Sequence, residues 1–224
     1  MIMIDSLPAI FDKHARSFRK GRSVWEILEN GKDKKINLKK VTITGPGVFN
    51  IIENPFYKSW GHITTDRSTY LKDSDCDGVA FFINDQDKKL IFIDLKSSLS
   101  STNLKKSLTQ NFFSFLKLQM AFAICRDYSI DDYDILFIMA CPVCDEATKS
   151  NILDNISQYE MLGEEYYLNN CLKHFFLDEK DWSCKFSDLP FANENLHCDI
   201  LNKEFTFKII TTQNTNDKEL EYSF

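Results

Sequence analysis

The chain has 224 residues, of which 43% are hydrophobic, so it can bury the core of one sizeable domain without cross-links. Its formal net charge of −6 argues against a free-standing, tight, nonspecific nucleic-acid binder. Seven Cys, an odd number, are typical of reduced thiols. No signal peptide or membrane-spanning run is visible, which favours a cytoplasmic protein with no membrane partner.

Positive charge is concentrated near the start of the chain. Residues 13–40 hold ten Lys and Arg against three Asp and Glu, a local charge of +7 that leaves −13 elsewhere. This asymmetry predicts one basic edge on an acidic body, with Lys20, Arg22, Lys39 and Lys40 as candidates for contacting phosphates. The alternative is a solvated, Lys-rich surface segment.

The first predicted elements are a helix and a strand. Residues 5–30 place apolar side chains at helical spacing and end at a stop signal around Gly31, with a break into two helices allowed at Gly21. Residues 36–47, INLKKVTITGPG, predict a strand that runs into a Gly-Pro-Gly turn.

Residues 78–96 predict a β-hairpin. The segments GVAFFIN and KLIFIDLKS are nearly all apolar, and the turn NDQDKK between them has the Asn and Asp residues that a tight reversal prefers. Because strands of this composition are covered on both faces, we expect them at the centre of an α/β sheet.

The second half of the chain predicts a crossover helix and a further strand. A Ser/Thr/Asn cluster at 97–103 can cap a long helix, and YDILFIMACPV at 133–143 is another apolar strand. If this strand is parallel to the preceding one, the crossover should be right-handed. Residues 144–177 predict helix, 182–212 predict short strands or loops, and 214–224 are expected to fray.

Three charged residues of the hairpin can share one site. Asp94 and Lys96 lie two residues apart at the end of a strand, so their side chains point to the same face. Asp77 opens the preceding strand, and a hairpin brings it beside Asp94. Two neighbouring carboxylates repel unless a cation lies between them, and Mg²⁺ is the natural candidate. Such a cation with Lys96 beside it is typical of phosphodiester hydrolysis.

This order of residues resembles the PD-(D/E)XK superfamily of restriction-endonuclease-like nucleases: Asp77 before one strand, Asp94-Leu95-Lys96 closing the next, and a helix afterwards. The resemblance covers residues 20–140. It implies Mg²⁺ or Mn²⁺ as cofactor and an α/β fold with a mixed sheet of about four strands flanked by helices. Residues 1–144 would form this nuclease core with its N-terminal helices. Residues 145–224 would form a C-terminal extension of helices and short strands packed on it.

The resemblance assigns metal binding to Asp77 and Asp94 and the catalytic Lys role to Lys96. The family's optional Pro is Cys76 here, and Asp94 replaces the commoner Glu. Many members add a Glu from an N-terminal helix, for which Glu26 is the first choice and Glu29 the second.

Many members also place a catalytic Gln or Lys on the helix after the acid-x-Lys strand. Gln110 is the best match in this chain, with Lys105 and Gln119 behind it. Lys105 is in addition a candidate for contacting nucleic acid.

Other interpretations of these residues stay open. Asp77 with Gly78 can be turn chemistry, and Asp94 and Lys96 can be a solvated strand end. Against this stands the cost of burying a carboxylate at the close of an apolar run. A zinc site is a further alternative, and these residues could supply its ligands: Cys141, Cys144, Cys171, His174, Cys184, His197 and Cys198.

The sequence therefore predicts a metal-dependent nuclease that prefers DNA to RNA. By resemblance, it would be an effector subunit of a prokaryotic defence or mobile-element system. An acidic body with one basic edge fits a subunit whose protein partner, or second copy in a homodimer, supplies much of the nucleic-acid grip. The alternative function is a catalytically silent nuclease-fold subunit that serves as an interaction or assembly module.

Overall fold

The structure is a computed structural model that describes residues 7, 10, 11, 18–29, 38–53, 75–159 and 166–224. Its strands are β1 Phe18–Leu28, β2 Lys40–Ile52, β3 Gly78–Ile83, β4 Lys88–Leu95, β5 Asp134–Cys141, β6 Trp182–Lys185, β7 Glu204–Thr211 and β8 Glu219–Ser223. Its helices are α1 Ser101–Phe122, α2 Glu146–Tyr159, α3 Tyr166–Lys173 and α4 Cys198–Asn202. A π-helical turn at His174–Asp178 continues α3.

The strands form one open, mixed sheet of eight strands in the order β1-β2-β3-β4-β5-β7-β6, with β8 paired to β2. The pairs β4/β5, β5/β7 and β2/β8 are parallel, and the others are antiparallel. The α/β class agrees with the prediction, but the sheet is larger than expected. The additional strands include β6, β7 and β8, which follow residue 144 in the chain.

The predicted hairpin is confirmed. β3 and β4 pair from Gly78↔Ile93 to Ile83↔Lys88, and both strands are buried over most of their length. The turn is fastened by the Asn84 carboxamide, whose Oδ1 accepts hydrogen bonds from the backbone N–H groups of residues 86 and 87. Asn/Asp turn chemistry and two apolar runs were therefore sufficient to fix this register.

The predicted crossover is also present. The Ser100 hydroxyl caps α1 by accepting a hydrogen bond from the Asn103 N–H, and α1 leads to β5, which pairs parallel with β4. Helix α1 packs on one face of the sheet through phenylalanines such as Phe112 and Phe115, which join the same core as Phe92 of β4. Residues 146–173 supply α2 and α3 to this face, in agreement with the predicted helix over 144–177, except that residues 160–165 lie outside the described part.

The opposite face of the sheet is covered by strands, and the predicted helix over 5–30 is wrong for residues 18–28. Leu7 and Ile10 are helical, but residues 18–28 form β1. Trp25 and Ile27 are buried against Ile93 of β4, and their neighbours in β1 are exposed. This period of two is that of a strand, whereas the helical interpretation relied on the wider spacing of Phe18, Val24 or Trp25, and Leu28. The remaining residues of 5–17, and the stop signal at Gly31, lie outside the described residues.

The predicted Gly-Pro-Gly turn is also wrong, because these residues lie inside β2. Thr44 pairs with Val24 and Phe49 with Arg22, so β2 holds more residues between these two rungs than β1 does. Pro46 lacks an N–H group and is tolerated at such an irregularity. The chain continues through it without reversing direction.

Gly47→Ala is expected to lower the free energy of unfolding by about 1–3 kcal/mol. A Cβ at Gly47 would lie 2.6 Å from the backbone oxygen of Ile83 and 2.8 Å from the Phe82 ring, so the backbone itself must shift. Urea denaturation measures the change. Gly45→Ala is the matched control, because its Cβ would meet only side-chain atoms, at 3.2 Å or more, and its effect should be smaller. Equal effects would contradict the close approach of β2 to β3.

The expected fraying of residues 214–224 is wrong as well. β8 pairs in parallel with β2, Leu220 is buried, and the Phe224 ring stacks on Phe82 with centroids 5.3 Å apart. Apolar side chains at alternate positions anchor an otherwise polar segment. Among the described residues, no helix is both long and apolar enough to cross a membrane.

Candidate active site

The hairpin brings Asp77 and Asp94 together at the open end of β3 and β4. The Asp77 N–H donates to the Ile93 carbonyl at 2.9 Å, which extends the ladder by one rung. The Asp77 Oδ2 accepts a 2.7 Å hydrogen bond from the Leu95 N–H. The two carboxyl groups are close enough for the charge of Asp94 to raise the pKa of Asp77. Asp77 is therefore aimed at Asp94 by the backbone of the neighbouring strand.

Lys96 and Gln110 complete the cluster. The Lys96 ammonium lies 2.5 Å from Asp94 Oδ2 and donates a 2.5 Å hydrogen bond to the Gln110 Oε1 on α1. The Lys96 N–H bonds the Ala140 carbonyl of β5, which fixes the residue beyond the end of β4. The Asp94 side chain is 2% exposed and that of Lys96 12% exposed. The structure therefore brings together Asp77, Asp94, Lys96 and Gln110, and Asp94 is not a solvated strand end.

Electrostatics at the cluster favour uptake of positive charge. Burial, reinforced by the negative charge of Asp94, raises the pKa of the Asp77 carboxyl to about 7, while the Leu95 N–H and Lys96 act in the opposite direction. Burial also raises the pKa of Asp94, against the lowering effect of the Lys96 ammonium. One ammonium thus faces the buried Asp94 carboxyl and the half-buried Asp77 carboxyl, and at neutral pH the pair tends to hold a proton.

The free energy of unfolding is expected to fall as pH rises from about 4 to about 7. In this window the folded state binds a proton at Asp77 that the unfolded chain, with an ordinary pKa of 3.8, has released. Each unit of raised pKa corresponds to about 1.4 kcal/mol. Urea denaturation at several pH values measures the slope. Asp77→Asn should make it shallower, and an unchanged slope would contradict the burial of an ionisable Asp77.

Glu26 lies on β1 and not on the predicted N-terminal helix. Its side chain is 58% exposed and forms an ion pair with Lys40 of β2. Glu29 follows the end of β1, and its N–H bonds the Lys39 carbonyl. The helical assignment is wrong for Glu26 because residues 18–28 form the strand β1. A metal-binding role for Glu26 stays a prediction, with its carboxylate engaged by Lys40 in this structure.

A cleft of about 560 Å³ opens beside Asp77. It is lined by Asp77 and Gly78 from the site and by the β1–β2 ribbon, including Arg19, Arg22 and Glu26. Arg19 pairs with Glu53 at 2.7 Å. Of the predicted nucleic-acid contacts, Arg22 therefore lines the same cleft as Asp77.

The other predicted phosphate contacts are distributed over the surface. Lys20 on β1, Lys39 before β2 and Lys105 on α1 are exposed, while Lys40 is half-buried. The ion pair with Glu26 and the nearby Glu219 and Glu221 raise the pKa of Lys40. These acidic neighbours offset its attraction for phosphate. Residues 13–17 and 30–37 of the basic segment lie outside the described part.

The cysteine alternative gains no geometric support. Cys141 on β5 and Cys171 on α3 are buried, and burial raises the pKa of the Cys141 thiol to about 12. His174 pairs with Asp178 at 3.0 Å. Within the described ranges, the one group of three possible ligands with atoms inside 4.8 Å is His197, Cys198 and Asp199, all exposed. The other predicted zinc ligands form no such group within the described ranges; they are Cys141, Cys144, Cys171, His174 and Cys184.

A polar stripe on α1 was not predicted from the sequence. The Ser107 hydroxyl acts to lower the pKa of Asp94, Ser114 Oγ accepts a hydrogen bond from the Cys76 N–H, and the Lys117 ammonium pairs with Asp75 at 2.7 Å. Together with Gln110 these residues recur every three or four positions, so they share one helix face. This spacing was the available signal. Gln119, a reserve choice for the catalytic Gln, instead accepts a hydrogen bond from the Tyr128 hydroxyl.

Comparison of the chain with protein-family models, with curated proteins and with solved structures gave no match. The chemistry of the site follows from its own geometry. The buried Asp94 and the half-buried Asp77 offer carboxyl oxygen ligands to a hard cation, and an ammonium beside them can bind an anion. Together they can accommodate a phosphate group bridged to a divalent cation.

Proposed function

We propose that the chain is a metal-dependent nuclease of the PD-(D/E)XK class that hydrolyses phosphodiester bonds, with DNA preferred to RNA. The observation that carries the proposal is the convergence of Asp77 and Asp94 at the end of the hairpin, with the Lys96 ammonium 2.5 Å from Asp94. The hairpin before this cluster and the helix after it follow the order that the resemblance requires.

The residues present fit Mg²⁺ or Mn²⁺. Asp77 and Asp94 would hold the ion, since both offer hard oxygen ligands and both carry raised pKa values from burial that a cation would relieve. Asp94 Oδ2 is buried and accepts no well-directed hydrogen bond among the described residues, although the Lys96 ammonium is 2.5 Å away. A carboxylate oxygen has two lone pairs, so the ammonium leaves one of them for a further ligand.

The chain's own residues then have separate roles. A bound cation would lower the pKa of water and offset charge on the phosphate. Lys96 binds a phosphate oxygen or the attacking water, and Gln110 fixes its ammonium through the 2.5 Å hydrogen bond. As the water oxygen bonds to phosphorus, the bond from phosphorus to the leaving sugar oxygen breaks. Arg22 in the adjacent cleft binds a neighbouring phosphate.

The net charge of −6 favours a partner subunit or a homodimer that adds positive surface around the nucleic acid. A cytoplasmic effector role in prokaryotic defence or in a mobile element belongs to the same proposal and rests on the resemblance.

Cleavage of plasmid DNA and of DNA and RNA oligonucleotides, with Mn²⁺, Mg²⁺ or EDTA, tests the function. The wild type should cleave DNA only with a divalent cation, and Asp77→Asn should abolish cleavage. Asp87→Asn, in the exposed turn of the same hairpin, is the matched control and should cleave like the wild type. If the wild type and Asp77→Asn are alike in every condition, the chain is not this nuclease and an assembly role gains support.

A further inference from the structure

A charged pair lies inside the phenylalanine-rich core, behind the carboxyl cluster. The Lys117 side chain on α1 is 1% exposed, that of Asp75 is 6% exposed, and their charged atoms are 2.7 Å apart. Phe113 and Phe115, which are close to Lys117 in sequence on the same helix, are also buried. A buried ion pair adds little net stability, because the desolvation of both charges opposes their attraction. The presence of this pair is better explained by a role in holding a neighbouring segment of the chain in place.

That segment is the chain immediately before β3. Gln110 Nε2 donates to the Asp75 carbonyl at 3.0 Å, Ser114 Oγ accepts from the Cys76 N–H at 3.0 Å, and Lys117 binds the Asp75 carboxylate. Three residues on successive turns of α1 therefore grip two consecutive residues. Asp77 follows directly, and its own N–H and carboxylate bond the end of β4.

Gln110 also connects this segment to Lys96. Gln110 uses its Nε2 on the Asp75 carbonyl and its Oε1 on the Lys96 ammonium, so one side chain ties the start of β3 to the residue after β4. Gln110 therefore holds both ends of the hairpin against α1.

We propose that Lys117 and Asp75 are positioning residues, which fix the Asp77 carboxylate at the cation site by clamping residues 75 and 76 to α1. This inference rests on the proposed function and adds to it two residues that touch neither cation nor substrate. Interactions behind a metal ligand commonly change metal affinity by about 10- to 100-fold. A purely structural pair would leave the metal affinity of the folded protein unchanged.

The test replaces the pair by apolar residues, Asp75→Val with Lys117→Met, because this double variant leaves no unpaired charge. Mn²⁺ affinity, measured from the electron paramagnetic resonance signal of free Mn²⁺, should weaken about tenfold or more. The Mn²⁺ concentration for half-maximal cleavage should rise by the same factor, with kcat at saturating Mn²⁺ within about threefold. Exchange of the Cys76 amide hydrogen should accelerate while the amides of β5 stay protected. Lys208→Met with Asp181→Val removes a pair 2.8 Å apart on β7 and before β6, and should change none of these.

Ser114→Ala is the milder second variant, and should also accelerate Cys76 exchange and weaken Mn²⁺ binding. Wild-type Mn²⁺ binding together with unchanged binding by the folded double variant would overturn the inference alone. No Mn²⁺ binding by the wild type would overturn the proposed function and the inference together.

Discussion

Asp94→Asn is expected to lower the rate of Mn²⁺-dependent phosphodiester cleavage about a thousandfold. A catalytic cation supplies several kcal/mol of charge stabilisation, and each 1.4 kcal/mol is about tenfold in rate. Asn has nearly the shape of Asp, but its carboxamide is a weaker cation ligand. Because burial raises the pKa of Asp94, the neutral side chain should leave the free energy of unfolding equal or slightly higher. Single-turnover cleavage and urea denaturation separate the two effects.

Lys96→Met is the companion variant, with an expected loss of about 10²- to 10³-fold in kcat. Mn²⁺ affinity should be retained or increased, since an ammonium that competes for Asp94 is removed. Lys89→Met is the matched control, because Lys89 lies on β4, which Lys96 directly follows, and pairs with Asp87 of the turn. A loss of Mn²⁺ affinity in Lys96→Met, with kcat unchanged at saturating Mn²⁺, would contradict the role given to Lys96.

The part of the site that lies on the hairpin could be predicted because its determinants are local. Two apolar runs and an Asn/Asp turn set the register, and the register places Asp77 on the rung next to Gly78↔Ile93. Alternation along β4 then puts Asp94 and Lys96 on one face. Gln110 followed from the resemblance, since the crossover helix starts directly after the acid-x-Lys strand.

The rest of the site depends on contacts between distant residues. Asp75 and Lys117 are separated by 42 positions, and neither a turn nor a periodic pattern links them. β1 was mistaken for a helix because the apolar residues at 18, 24, 25 and 28 fit a helical spacing, whereas the alternating pair Trp25 and Ile27 is buried in the strand. Only its packing against β4 decides between helix and strand. β8 likewise depends on a contact between distant residues, because its Leu220 pairs with Val41 of β2.

Removing one member of the buried pair should be far more damaging than removing both. Lys117→Met leaves the Asp75 carboxylate buried without its ammonium, and we expect a loss of about 3–5 kcal/mol in the free energy of unfolding. Asp75→Val should cause a similar loss by leaving the ammonium unpaired. The double variant should return to within about 1 kcal/mol of the wild type, because both charges and their desolvation disappear together. Urea denaturation of the four proteins gives the coupling energy.

The pair of Lys208 and Asp181 is the reference for the coupling energy of an accessible ion pair. Its side chains are 25% and 39% exposed, so water screens the charges and a single removal leaves the other solvated. Its cycle should give at most about 1 kcal/mol. A similarly small coupling for Asp75 and Lys117 would mean that water reaches them in solution, and a hydrated pair could not hold residues 75 and 76 rigidly against α1. A coupling of several kcal/mol, with Mn²⁺ affinity lost in the stable double variant, would separate the energetic role of the pair from its positioning role.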